Sequence, residues 1–150
     1  MTYATPQDLI DRLGEREATA ISDRAGTGQP DVVTLTSALT LAEDEVNSYL
    51  GRRYALPLLT AAGLVANVPS VLKRLTIDVA RYRQTGTEIM ETEAIRHRFK
   101  DAVRVLEQIA KGEIDLGALM LATSGGPASI GGNTAVRAPT KAFSNLSQVL

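Results

Sequence analysis

The sequence has no cysteine and no tryptophan. The first absence removes disulfides, thiolate metal sites and cysteine nucleophiles, and it fits a reducing compartment. Aromatic residues make up only 4%, two Phe and four Tyr, so the core must be aliphatic. No apolar run approaches the ~20 residues of a membrane span, and the opening MTYATPQDLIDRLGE has no signal-peptide features. A cytosolic, globular protein without a membrane partner is expected. Histidine is almost missing too, since His97 stands alone between Arg96 and Arg98. A zinc or iron site built on it would need a set of carboxylates, and no acids stand at a paired helical spacing that offers one. A surface histidine is the better reading.

Glycine motifs for nucleotides are missing as well. Gly26-Thr-Gly28 continues as Gln-Pro-Asp, with no third glycine and no strand before it. Ser124-Gly-Gly126 and Gly131-Gly132 lack the Gly-Lys-Ser/Thr that completes a phosphate loop. No nucleophile elbow is present for a Ser-His-Asp triad. Glu43, Asp44 and Glu45 are consecutive, so on a helix they diverge instead of converging on one substrate. The sequence therefore predicts no catalytic residue, no metal site and no cofactor: the protein is not an enzyme.

What is present is an ordinary soluble composition, 44% hydrophobic and 22% charged over 150 residues, enough for one domain and an appendage. The net charge of -1 hides a segregation. Residues 1–50 carry nine acids and three bases, whereas residues 51–111 carry eleven bases and six acids. Either the two halves neutralise each other inside one fold, or they offer complementary sides to neighbouring copies, as in a head-to-tail ring. The basic set comprises Arg52, Arg53, Lys73, Arg74, Arg81, Arg83, Arg96, Arg98, Lys100 and Arg104. It could meet phosphates, yet stacking aromatics are scarce and no helix-turn-helix pattern is clear. A protein interface is the stronger alternative, with Asp78 able to pair locally with Arg74 or Arg81 one turn away.

Apolar spacing is helical over most of residues 1–121. Thr5-Pro6-Gln7-Asp8 marks a helix start that runs to Gly14, and residues 15–21 form a second short piece. Residues 23–31 are a turn-rich loop. A longer helix is predicted over 36–50, another from Pro69 to about Gly86, and a last strong one over 91–110, closed by Lys111-Gly112. Only Val32-Val33-Thr34-Leu35 alternates. Residues 113–121 are left as a weak helix or turn. The prediction is all-α, a small bundle of about four to five helices over residues 1–122.

From Thr123 the chain is small, polar and rich in Gly and Pro, with separated apolar anchors at Ile130, Val136, Phe143, Leu146, Val149 and Leu150. Its 28 residues could extend ~90 Å. A domain of ~120 residues has a radius of gyration of only ~14 Å. The segment reads as an extended tail that docks on a partner.

One combination is specific. Tyr3-Ala-Thr-Pro-Gln-Asp-Leu-Ile-Asp-Arg-Leu-Gly14 is followed by Tyr49-Leu-Gly-Arg-Arg-Tyr-Ala-Leu-Pro-Leu58, Val68-Pro69-Ser-Val-Leu, Asp78-Val-Ala-Arg-Tyr82 and Ile109-Ala-Lys-Gly112. In that order and spacing the chain resembles the Mu-like phage protein family assigned to the head–tail neck. The resemblance covers about residues 2–121, and Arg53-Tyr54-Ala-Leu-Pro-Leu58 is its strongest element. It implies a structural virion protein, a small helical head-completion adaptor that forms a ring beneath the portal. The partners implied are other copies of the chain, the portal and the next neck or tail-completion protein, with DNA passing through the lumen as a further contact. The location implied is the virion neck, reached from the host cytoplasm during assembly. The residues expected to face partners are Arg52, Arg53, Ile130, Val136, Arg137, Phe143, Leu146 and Leu150. The alternative is a small helical nucleic-acid-binding or regulatory module, motivated by the basic middle third. Within the Arg53–Leu58 block, Tyr54 and Leu56 are expected to pack at the exit of the long helix.

Overall fold

Thr5 and Pro6 begin the first helix as predicted. In the computed structural model, which describes residues 2–64, 66–86 and 91–122, helix α1 is Pro6–Leu13. Thr5 and Asp8 satisfy each other's backbone N–H groups in a reciprocal cap. Gly14, at φ 88°, joins α1 to α2 (Glu15–Ser22), a conformation that a side chain resists. In the loop that follows, the Asp23 carboxylate accepts from the N–H groups of Thr27 (2.9 Å) and Gly28 (2.6 Å).

Helix α3 spans Val32–Leu50, four residues longer at its start than the apolar spacing predicts. The alternating Val32-Val33-Thr34-Leu35 is helical. Asp31 decides this by capping Val33 N–H at 2.9 Å and accepting from the Thr34 hydroxyl at 2.6 Å. Helix α4 is Ser70–Arg83, entered from Pro69, and α5 is Glu93–Lys111, capped by Thr92 and closed by left-handed Gly112. The architecture is an all-α bundle of five helices. Among the described residues there is no strand, only two isolated antiparallel bridges, Tyr54 with Leu121 and Thr60 with Leu119. Residues 113–122 are thus neither helix nor simple turn: they run back along the loop after α3.

Helix α4 is the centre of the bundle, packing most extensively on α3 and then on α5. Residues 75–81 are buried without a break, so this helix has no solvated face along two turns. Leu75, Val79, Leu106 and Ile109 are core residues, as their spacing predicts. Phe99 is a correction, because it is only half-buried and lies at the edge of the core. Its ring stacks on Tyr82 with centroids 4.1 Å apart and planes at 11°. Phe99→Ala is therefore expected to cost ~1–2 kcal/mol in urea unfolding, below the ~3–5 kcal/mol of a fully buried ring. A loss above that range would place Phe99 in the core after all.

Candidate partner interface

Four charged side chains of α4, Lys73, Asp78, Arg81 and Arg83, each meet a partner from another helix. Lys73 bonds Asp8 of α1 at 2.7 Å, and Arg83 holds Glu45 of α3 with two bonds of 2.8 and 2.9 Å. Arg81, nearly buried, pairs with Glu17 of α2 at 2.5 Å. Asp78 receives Arg12 of α1 through contacts of 3.0, 3.1 and 3.3 Å. This corrects the local pairing with Arg74 or Arg81: the partner lies 66 residues away and reaches both carboxylate oxygens. Three acids of the acidic half, Asp8, Glu17 and Glu45, are thus neutralised inside the fold by three bases of the basic half.

The Asp78 carboxylate is 7% exposed and Arg12 is 35% exposed. Removing the guanidinium leaves an unpaired buried carboxylate, so Arg12→Ala should cost ~2–4 kcal/mol, reduced from a wholly buried pair by the solvent at Arg12. Chemical denaturation checks this, and a cost under ~1 kcal/mol would contradict the pair's role. Asp8 titrates in a second test. The Lys73 ammonium, then the Thr5 N–H and hydroxyl, hold its carboxyl near a pKa of about 2, against an ordinary 3.8. A lowered carboxyl stabilises the fold above the ordinary value and loses that contribution as pH falls toward 2. Thermal midpoints measured between pH 4 and pH 2 should therefore fall less steeply in Asp8→Asn than in the parent. Equal slopes would remove Asp8 as a contributor.

The segment after α3 builds a second knot. Tyr54 is 1% exposed, and its hydroxyl accepts from Leu116 N–H at 3.0 Å and donates to Asp115 at 3.3 Å. Arg53 lies over the Tyr54 ring, 5.7 Å from its centroid, and its Nη2 is 3.5 Å from Asp115. That guanidinium lies against Gly112, where the φ of 81° is what favours glycine. Asp115 and Gly112 are therefore structural partners of the Arg53-Tyr54 block that the sequence did not single out. Only the helix stop at Gly112 signalled part of this.

Leu56 lies beside Gly51 at the exit of α3, as expected, but is only partly covered there. It is 41% exposed, while Leu58 is fully buried. The chain bends at Leu56-Pro57, and Leu56 lies outward between the buried Tyr54 and Leu58.

Of the residues expected to face partners, Arg52 is exposed and reaches over the Tyr49 ring, beside an open groove also lined by Glu107, Ala110 and Lys111. Arg53 is half-buried and turned inward onto Tyr54 and Asp115. Ile130, Val136, Arg137, Phe143, Leu146 and Leu150, with the rest of the predicted tail, lie outside the described residues. Arg96 pairs with Glu91, and His97 is exposed next to Glu93. The side chains of Arg74, Arg98, Arg104 and Lys111 form no ion pair or hydrogen bond among the described residues. Three of these four, Arg98, Arg104 and Lys111, lie on exposed positions of α5, interspersed with exposed Asp101 and Glu107, so that helix presents both signs outward. Among the described residues no group of three His, Cys, Asp or Glu could hold a metal, and no helix is long and apolar enough to cross a membrane.

A family model described as bacteriophage Mu, Gp36, matches residues 3–132, the whole described fold apart from Thr2 and ten residues beyond it. The chain belongs to the phage Mu Gp36 family. Gene product J of Escherichia phage Mu is 35% identical over 118 residues, 78% of this chain and 77% of that protein. The Mu-like prophage FluMu protein gp36 of Haemophilus influenzae is 34% identical over 115 residues, 77% of this chain and 75% of that one. The family match therefore takes in the α4 ion pairs and the Tyr54 knot together.

Proposed function

We propose that the chain is a structural virion protein, a head–tail adaptor whose copies form a ring between the portal and the next neck or tail-completion protein. Membership of the phage Mu Gp36 family carries the reading, joined to the ordered blocks from Tyr3 to Gly112 that resemble the neck proteins. The surface supports it. Internal pairing consumes Asp8, Glu17 and Glu45, and leaves Arg52 and the α5 bases Arg98, Arg104 and Lys111 outward, beside exposed Asp101 and Glu107, to meet a neighbour's charges. Arg52 and the anchors Ile130, Val136, Arg137, Phe143, Leu146 and Leu150 face partners in this account, and Arg53 shapes the platform from which they act. The protein works at the neck of the virion after assembling in the host cytoplasm, without catalysis or cofactor.

Co-sedimentation of the purified chain with portal-containing capsids tests the proposal. Binding that disappears when the portal is absent is expected, and equal recovery with and without the portal would overturn it. The unpaired bases of α5 favour one rival, a nucleic-acid-binding module. That rival requires DNA affinity in the isolated chain that falls steeply as salt rises.

A further inference from the structure

None of residues 113–122 is buried, whereas every helix of the bundle buries at least one side chain. Ile114, Leu116 and Leu119 are half-buried and pack against the core from its edge. Glu113 and Ile114 N–H bond Gln108 O at the end of α5. Beyond that point, the hydrogen bonds and the ion pair that tie the segment to the rest of the described residues all run to residues 53–59. Ala55 N–H donates to Met120 O (3.0 Å), Met120 N–H to Leu59 O (2.7 Å) and Ala122 N–H to Arg53 O (2.8 Å). The other ties are those of the Tyr54 hydroxyl to Leu116 and Asp115, and of Arg53 to Asp115.

A segment held in this way opens more easily than a helix. Its backbone bonds contribute modestly one by one, and release returns conformational freedom to every residue in it. The helices on either side close without it. Gly112 N–H bonds Ile109 O at the end of α5, and Tyr54 N–H bonds Leu50 O at the exit of α3. Gly112, at φ 81°, is a natural hinge, since glycine crosses between backbone regions without a steric penalty. The two ends of the segment are also coupled through Tyr54. Its hydroxyl holds Asp115 and Leu116, and its backbone stands opposite Leu121. Loosening one end therefore removes support from the other.

We infer that residues 113–122 form a strap that opens as a unit while the five helices stay folded. Opening turns the Tyr54 hydroxyl, Ala55 N–H and the Arg53 and Leu59 carbonyls toward solvent. It also adds ten residues, ~33 Å when extended, to the chain that follows α5. The open and closed forms thus differ in reach and in the main-chain groups they offer. Opening is a property of the isolated chain, so it stands or falls apart from the adaptor role.

Hydrogen exchange of the full-length chain, read by nuclear magnetic resonance at several low urea concentrations, tests the strap. The amides of Ala55, Leu116, Met120 and Ala122 should share one opening constant, ~100-fold above that of the α4 amides from Thr76 to Ala80, with a weak urea dependence. Opening constants and urea dependence equal to those of α4 would overturn the strap, because the segment would then leave only with the whole fold. Four unrelated constants would overturn its opening as a unit. The absence of cysteine allows a lock to be added cleanly. Thr60 and Leu119 stand opposite each other in an antiparallel bridge, a separation that a disulfide spans. In the oxidised Thr60→Cys, Leu119→Cys chain, exchange at Ala55 and Met120 should slow ~10-fold or more, and reduction should restore it. Identical exchange in the oxidised and reduced forms would overturn the strap. The parent-chain measurement decides the matter by itself where the double variant does not fold.

Discussion

Tyr54→Ala should destabilise the domain by ~3–5 kcal/mol, among the largest losses from a single side chain in this fold. The ring is buried, so truncation loses its transfer free energy and leaves a cavity between α3 and the returning segment 113–122. It also frees the Arg53 guanidinium from the ring and leaves Leu116 N–H without its acceptor. Tyr54→Phe separates the two effects. It keeps the ring, removes only the hydroxyl bonds to Leu116 and Asp115, and should cost ~1–2 kcal/mol. Urea unfolding followed by circular dichroism measures both. If the alanine variant loses less than ~1 kcal/mol, the knot does not hold the segment after α5 to the bundle.

Deleting residues 123–150 should do the opposite: little to stability, everything to assembly. The described core draws on residues 3–119. The truncated chain is expected to melt within ~2–3 °C of the parent, the size of a change well under 1 kcal/mol. It should nevertheless fail to remain on portal-containing particles. In the proposed account the spaced anchors Ile130, Val136, Phe143, Leu146 and Leu150 dock on a partner, and their ordering entropy belongs to that binding step. A truncated protein that still joins portals and supports infectious particles would refute the tail's role. Strong amide protection of the tail in the isolated monomer would refute it equally, since the anchors would then cover their own domain.

The helices were legible where the signal is local. Thr5-Pro6 and Lys111-Gly112 announce their helix ends through caps that involve only neighbours in sequence, and the structure follows both. The start of α3 was misread because Val32, Val33 and Thr34 are β-branched and alternate briefly, while the deciding group is one aspartate before them. Phe99 continues a helical stripe, yet burial depends on what the stripe faces, and the first half of α5 lies at the edge of the bundle. The pairing of Asp78 was beyond local reasoning. Arg74 and Arg81 are within a turn, but Arg12 arrives from α1 with the geometry to hold both oxygens.

The candidate interface was legible in the same limited sense. Charge segregation correctly marked the two halves as complementary, but composition does not say whether complementary charges meet within a copy or between copies. The α4 ion pairs show that several meet within. What remains outward on α5 is mixed, Arg98, Arg104 and Lys111 among Asp101 and Glu107, with Arg52 beside Glu107 and Lys111. The strongest sequence block has turned out to be structural at its centre, with Tyr54 and Arg53 fastening the loop after α3 to the segment after α5. Leu56 is left on the surface by the turn that follows it.

The most direct test of the adaptor is electron microscopy of portal-containing capsids mixed with the full-length protein, compared with capsids alone. The account predicts a new ring of density at the portal vertex and nowhere else on the shell, large enough for several copies of a 16.0 kDa chain. A vertex unchanged by saturating protein, or density spread over the capsid surface, would contradict it.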